Sequence, residues 1–424
     1  MVHSLEFTMR VVRPSLIALA AAMVAGHALA QQVVKPPQSQ AWIDVATYGG
    51  MGGMGGMGGG AGAPNPMAML GGLFGGGGGK NSFGNTQVGQ AGRWVDVTLM
   101  TRANPQLQEA QQAVPAGFLS PALKLQAPRE TKGTLPPEHG EDRNEEPRYE
   151  KPEGRIFLYW GCGDTVRAGQ PKVLDMATAT PADLAKFFQV RSATQRGTHQ
   201  ATGRPVWPSP ADSRMVPPQA SLVGEHAFSG QGVPEAFRFQ VGAQQDLMPA
   251  IELAQRNADG AWALTWTPPP TARAQFLAGM GARGKNEMVL WTSAEVPETG
   301  FGLFDYQTNA AVDRWLKEKV LLSPTTSQCT VPKGVFSGEG GMLRAIAYGS
   351  ELNLAHPPRP TDPRQAWEPQ WAVKLRVKSQ STAMLGMEGG MPTRGMPAEQ
   401  APTPQEEGNK LPNAKDLLKG IFGR

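Results

Sequence analysis

Apolar residues in this chain fall mostly into short runs and alternations, and only rarely at helical spacing. The densest run outside the N-terminal segment is Ile156-Phe157-Leu158-Tyr159-Trp160, set between Gly154 and Gly161. An unbroken β-branched and aromatic run of this length, bounded by glycines, predicts a strand buried on both faces. Gly161-Cys162-Gly163 ends it, Gly169-Gln170-Pro171 supplies a turn, and Val173 to Met176 returns as a second strand. Trp94 to Leu99, Ala122 to Leu125 and Leu343 to Tyr348 predict further strands. Trp371, Val373, Leu375 and Val377 alternate with Lys374, Arg376 and Lys378. That pattern predicts a strand with one buried and one wet face.

Helical signals are few. Thr180 with Pro181 and Asp183 reads as the capped start of a short helix whose buried face is Leu184, Phe187 and Phe188. Asn104-Pro105 reads as the start of another, running to Gln112. The clearest helix is Thr308 to Leu322, with Val312, Trp315, Leu316 and Val320 on one side and Pro324 as its stop.

Between 221 and 300, short strand-like runs recur at sandwich-like spacing, with Asn257-Ala258-Asp259-Gly260 as a turn between two of them. The stretch Gly260-Ala-Trp-Ala-Leu-Thr-Trp-Thr-Pro268 resembles, in texture, the strand-then-proline pattern of immunoglobulin-like and fibronectin type III sandwiches. The resemblance implies an architecture and carries no function with it.

The fold expected is therefore mainly β: an immunoglobulin-like or fibronectin-like β-sandwich, a few short helices, and long disordered Gly/Met/Pro-rich flanks. Residues 1–30 read as a signal peptide and 31–92 as a disordered Gly/Met-rich segment. Residues 93–220, with a charged, Pro-rich loop over 129–153, read as the first part of a β domain. The sandwich follows at 221–300, and a helix plus strands at 301–378 complete the first domain around it. Residues 379–424 read as a disordered tail. A short amphipathic terminal helix there would offer Leu417, Leu418, Ile421 and Phe422 to a membrane surface or partner.

Composition sharpens this picture in three places. The 424 residues include 52 Gly and 38 Pro, so the packed part is smaller than the chain. Over 49–79, 17 of 31 residues are Gly and none is charged, which offers nothing to a core. Within that tract Met51, Met54 and Met57 repeat at every third position, and thioethers are soft ligands that select Cu(I). The alternative is low-complexity sequence with incidental methionine.

Arg10 and Arg13, the apolar Leu16 to Ala25 and the Ala28-Leu29-Ala30 site make a secretory signal cleaved after Ala30, which predicts a periplasmic or extracellular protein. In an oxidising compartment the only two cysteines, Cys162 and Cys329, predict one disulfide. The competing reading is a nucleophilic Cys162 served by His199 or His226.

Net charge is +4 with Lys and Arg scattered, so nothing resembles a nucleic-acid-binding stripe. Metalloprotease, phosphate-loop, serine-hydrolase and zinc spacings are missing, and no cofactor is expected. Asp164 and Asp175 flank the central turn, where such residues either cap the turn or orient a ligand. The reading reached is a non-catalytic envelope protein that binds another envelope component. The alternatives are a Cu(I)-binding protein using its Met-bearing segments, or a hydrolase whose residues carry no recognisable motif.

Overall fold

The computed structural model describes residues 32–50, 81–129, 154–284, 286–336 and 340–386. The strands in chain order are β1 (Ser39–Gly50), β2 (Gly92–Thr101), β3 (Glu109–Ala113), β4 (Ala122–Gln126), β5 (Arg155–Trp160) and β6 (Lys172–Asp175). They continue as β7 (Val206–Trp207), β8 (Gly224–Gly230), β9 (Arg238–Val241), β10 (Ala254–Ala258), β11 (Ala261–Thr265) and β12 (Ala274–Ala282). The last are β13 (Glu287–Thr292), β14 (Gln328–Val331), β15 (Met342–Tyr348), β16 (Leu352–His356) and β17 (Trp371–Met384). The helices are α1 (Asn85–Val88), α2 (Pro181–Phe187) and α3 (Asn309–Lys317).

The mainly β class holds. Fourteen strands form one sheet in the order β6-β5-β13-β12-β15-β17-β1-β2-β7-β4-β3-β8-β9, with β16 also paired to β17. A second sheet, β10-β11-β14, has three strands. The centre of the large sheet is a parallel pair of the first and last strands, from Ser39 opposite Trp371 to Gly50 opposite Thr382.

Successive residues in a strand face opposite sides. Ala41, Ile43 and Val45 of β1 share a face with Val95, Val97 and Leu99 of β2 and with Val373, Leu375 and Val377 of β17. All nine are buried in one apolar cluster. The same cluster takes in Leu264, Cys329 and Val331 from the small sheet and Phe237 near β9, so these pack on that face. Phe237 stacks on Trp371 with ring centroids 4.9 Å apart. Thr47 and Ser379, paired across the same face, donate to the Met248 and Pro249 carbonyls and hold that segment on the sheet.

Several expectations change here. Residues 31–92 were expected to be disordered throughout, yet Ser39–Gly50 form the central strand and Asn85–Val88 a short helix. Compositional averaging over the glycine tract hides the alternation in Ala41-Trp42-Ile43-Asp44-Val45. The strands of 221–300 do not stand together as a sandwich. β8 and β9 lie at one edge of the large sheet, β12 and β13 are inside it, and β10 and β11 belong to the small one. Local periodicity marks strands but does not say which strand each will pair with. Glu109–Ala113, expected to be helical, is strand β3, because Ala110 and Gln112 alternate inward. β17 continues to Met384, past the expected boundary at Lys378.

The helices follow their caps. Thr180 and Asp183 make a capping box on α2, although its apolar side is only half covered. Thr308 accepts from the Ala311 amide at the start of α3, which buries Val312 and Trp315. These pack with Phe276, Ile346 and Tyr348 on the opposite face of the large sheet. No helix among the described residues is long and apolar enough to cross a membrane.

Cys162 and Cys329 are bonded, with Cα atoms 5.1 Å apart and a sequence separation of 167. The bond joins the chain just after β5 to β14, and the Gly163 amide donates to the Thr330 carbonyl beside it. A disulfide removes the free thiol that the nucleophile reading required.

Candidate ligand pocket and the buried charges behind it

The second face of the central strands is not wet. It carries Trp42, Asp44, Ala46 and Tyr48 of β1 beside Lys374, Arg376, Lys378 and Gln380 of β17. Arg376 and Lys378 are 6% and 3% exposed, so the basic residues expected on a solvated face are buried. The chain over 191–199, the 305–307 segment and α1 contribute groups that contact this row, α1 through the Thr86 carbonyl, which accepts from the Tyr48 hydroxyl.

Asp44 and Arg376 are its anchor. Arg376 Nε and Nη2 donate to the two Asp44 oxygens at 2.7 and 2.6 Å. The Thr198 amide and hydroxyl donate to Asp44 Oδ2 at 3.0 and 2.7 Å. Arg376 Nη1 reaches the Thr194 hydroxyl and the Gln195 carbonyl. Burial works to lower the Arg376 pKa, but the charge and hydrogen bonds of Asp44 outweigh it and hold the guanidinium above its usual range. The pair thus fastens the 194–198 loop to the sheet. Gly197 is required for this approach: a Cβ there would overlap the guanidinium and lie 2.5 Å from Asp44 Oδ2.

Lys378 sits 4.3 Å from the Tyr306 ring centroid and 3.7 Å from Asp305 Oδ1. Burial lowers its pKa to about 8, with Asp305 and Asp44 opposing. Asp96, opposite Asp44 on β2, accepts from the Gly84 and Thr86 amides and the Thr86 hydroxyl. Burial raises its pKa to about 7 against those hydrogen bonds.

The Asp96 shift makes stability depend on pH. Its folded pKa lies above the unfolded value of about 3.9, so the native state holds more protons between the two. The contribution is therefore complete below about pH 4 and is lost as pH rises through about 7. Asp96→Asn should remove on the order of 2–3 kcal/mol of pH dependence between pH 5 and pH 8. Urea unfolding of both proteins at the two pH values measures it; equal slopes for the two would assign the dependence elsewhere.

The anchored loop borders a cavity of about 400 Å³. Gln40 and Trp42 of β1, Met100 at the end of β2, Arg102 just beyond it, and Lys374 of β17 form one part of the lining. Gln195, Arg196 and Arg204 complete it from the loop. Trp42 is 5% exposed and meets the His199 ring edge-on at 4.9 Å. Arg204 donates to His199 Nε2, and His199 Nδ1 donates to the Gly197 carbonyl at 2.8 Å, the tautomer of a neutral imidazole. Burial lowers the His199 pKa; Gly197 opposes this, and the charges of Arg196 and Arg204 reinforce it.

Three arginines and a lysine thus line one cavity, and no carboxylate lines it among the described residues. The Arg204 pKa is lowered, first by burial and then by Arg196. Lys374 is lowered by burial, with Glu351 at 3.7 Å opposing. Crowded cations of this kind favour a bound anion, and arginine forks match planar or tetrahedral oxyanions.

The other singled-out residues play structural parts or fall elsewhere. His226 is 1% exposed, bonded to Gln112 Nε2 and the Leu222 carbonyl, and stacked on Phe239. Asp175 caps its turn through the Ala177 amide. Met51, Met54 and Met57, and Leu417, Leu418, Ile421 and Phe422, lie outside the described residues. No group of three His, Cys, Asp or Glu among the described residues is placed to hold a metal ion.

No family model and no curated protein matches this chain.

Sequence reading missed this pocket because its cations come from just beyond β2, from the 195–204 loop and from β17, and no stretch of sequence is unusually basic. One signal was present. A Lys-x-Arg-x-Lys alternation in β17 with a lone Asp44 in the apolar Ala41 to Val45 run is consistent with a paired charge between neighbouring strands.

Proposed function

We propose that this is an extracytoplasmic binding protein, without catalytic activity, whose basic pocket takes an anionic group of another envelope component. The observation that carries the reading is the convergence of Arg102, Arg196, Arg204 and Lys374 on one cavity without a lining carboxylate. The signal-peptide pattern before Gln31 and the pairing of the only two cysteines support the compartment. A buried ion pair behind the pocket holds the loop in place before a ligand arrives, which lowers the ordering cost of binding.

Trp42 supplies the signal for a test. Titration with inorganic phosphate, and separately with a uronate oligosaccharide, should change its fluorescence in a salt-dependent way. Arg102 and Arg196 are exposed, so Arg102→Ala and Arg196→Ala should leave the unfolding midpoint unchanged. Each should weaken binding about tenfold, the value of one charged hydrogen bond of about 1.5 kcal/mol. Unchanged affinity in the double variant would overturn the reading.

A further inference from the structure

Three methionines line up across three adjacent strands. Met280 of β12 lies directly opposite Met342 of β15, and Met342 lies directly opposite Met384 of β17. Residues paired in this way point to the same face, with Cβ atoms roughly 4.5–5.5 Å apart. Met342, the middle member, is 6% exposed, while Met280 and Met384 are half-buried. Met342 belongs to none of the three apolar clusters among the described residues. The two outer side chains have three rotatable bonds each and are partly open to solvent, so their sulfurs are free to turn toward the middle one.

We propose that Met280, Met342 and Met384 form a thioether site for Cu(I). Three neutral, polarizable sulfurs on a half-open face select a soft monovalent ion, because they bring no charge to offset a divalent one. The surroundings strengthen that selection. Arg344 stands two residues from Met342 on the same face, its guanidinium 4.2 Å from the Phe304 ring centroid. A fixed cation there repels a dication twice as strongly as a monocation. The site lies at the end of the sheet where β1 finishes: Gly50 is opposite Thr382, two residues before Met384. Met51, Met54 and Met57 follow Gly50 in sequence. The proposed site does not need them, and it is independent of the basic pocket.

Competition of the full chain against a chromophoric Cu(I) chelator should show one equivalent bound, and Cu(II) should not compete. Substituting all three residues, Met280→Leu with Met342→Leu and Met384→Leu, should weaken that equivalent at least tenfold. The set Met51→Leu, Met54→Leu and Met57→Leu should retain it. Leucine nearly conserves methionine volume, so the fold is kept, and the half-exposed Met384→Leu alone provides a second variant. Ag(I) added to protein labelled at the methionine methyl groups should shift the Met280, Met342 and Met384 signals together. Wild-type affinity in the triple variant, or loss only in the Met51, Met54 and Met57 set, would overturn the site.

Discussion

Replacing Asp44 with alanine should destabilise the protein by about 3–5 kcal/mol. The substitution strands Arg376, 6% exposed, without its carboxylate and removes the acceptor for the Thr198 amide and hydroxyl. Breaking one side of such a pair is costly because the remaining charge stays desolvated, whereas removing both sides is much less so. Asp44→Leu combined with Arg376→Met should therefore recover most of the loss, with strong non-additivity between the two positions. Chemical denaturation of the single and double variants measures the coupling. Gly197→Ala should mimic part of the effect, since its Cβ would occupy the space of the guanidinium. A full-strength pocket in the Asp44→Ala protein would show that the 194–198 loop needs no anchor.

Replacing Cys162 and Cys329 together with alanine should cost about 2–5 kcal/mol. Chain entropy alone sets a ceiling of about 5 kcal/mol for a loop of 167 residues. The native state retains other ties at that point: the Gly163 amide to Thr330, and the Lys333 amide to Asp164. These keep β14 beside the end of β5, so most of the effect should arise from a freer unfolded chain. A guanidinium unfolding curve with and without reductant checks it: the wild type should lose stability on reduction, while the double variant should not respond. A reductant-insensitive wild type would refute the contribution.

Many strand positions were readable from a local apolar pattern, although β1 and β3 were not. Ile156 to Trp160, Trp94 to Leu99 and Trp371 to Val377 all became strands, and Thr180 and Thr308 both cap helices. The bonded cysteines matched the expectation drawn from their number and from an expected oxidising compartment. What was not readable was pairing. β1 and β17 are separated by more than 300 residues, and nothing in either sequence names the other as its neighbour. That one pairing decides the rest. It covers both faces of β17, turns Arg376 and Lys378 from solvated into buried residues, and brings Asp44 against Arg376. The pocket then follows from the loop that Asp44 holds. A pocket built from four distant segments has no motif, because no short stretch contains enough of it to constrain the others.

The union of the first and last strands also sets an order of events during synthesis. All twelve residues of β1 wait for a neighbour that begins at Trp371. Every other strand among the described residues has been made by then, so the sheet's middle is the last part to close, and contacts so far apart in sequence form slowly. A nascent chain stopped anywhere before Trp371 carries an open parallel edge at its centre, where water or a foreign strand takes the missing place. Losing either 39–50 or 371–384 would therefore leave the same defect: two half-sheets with no shared seam.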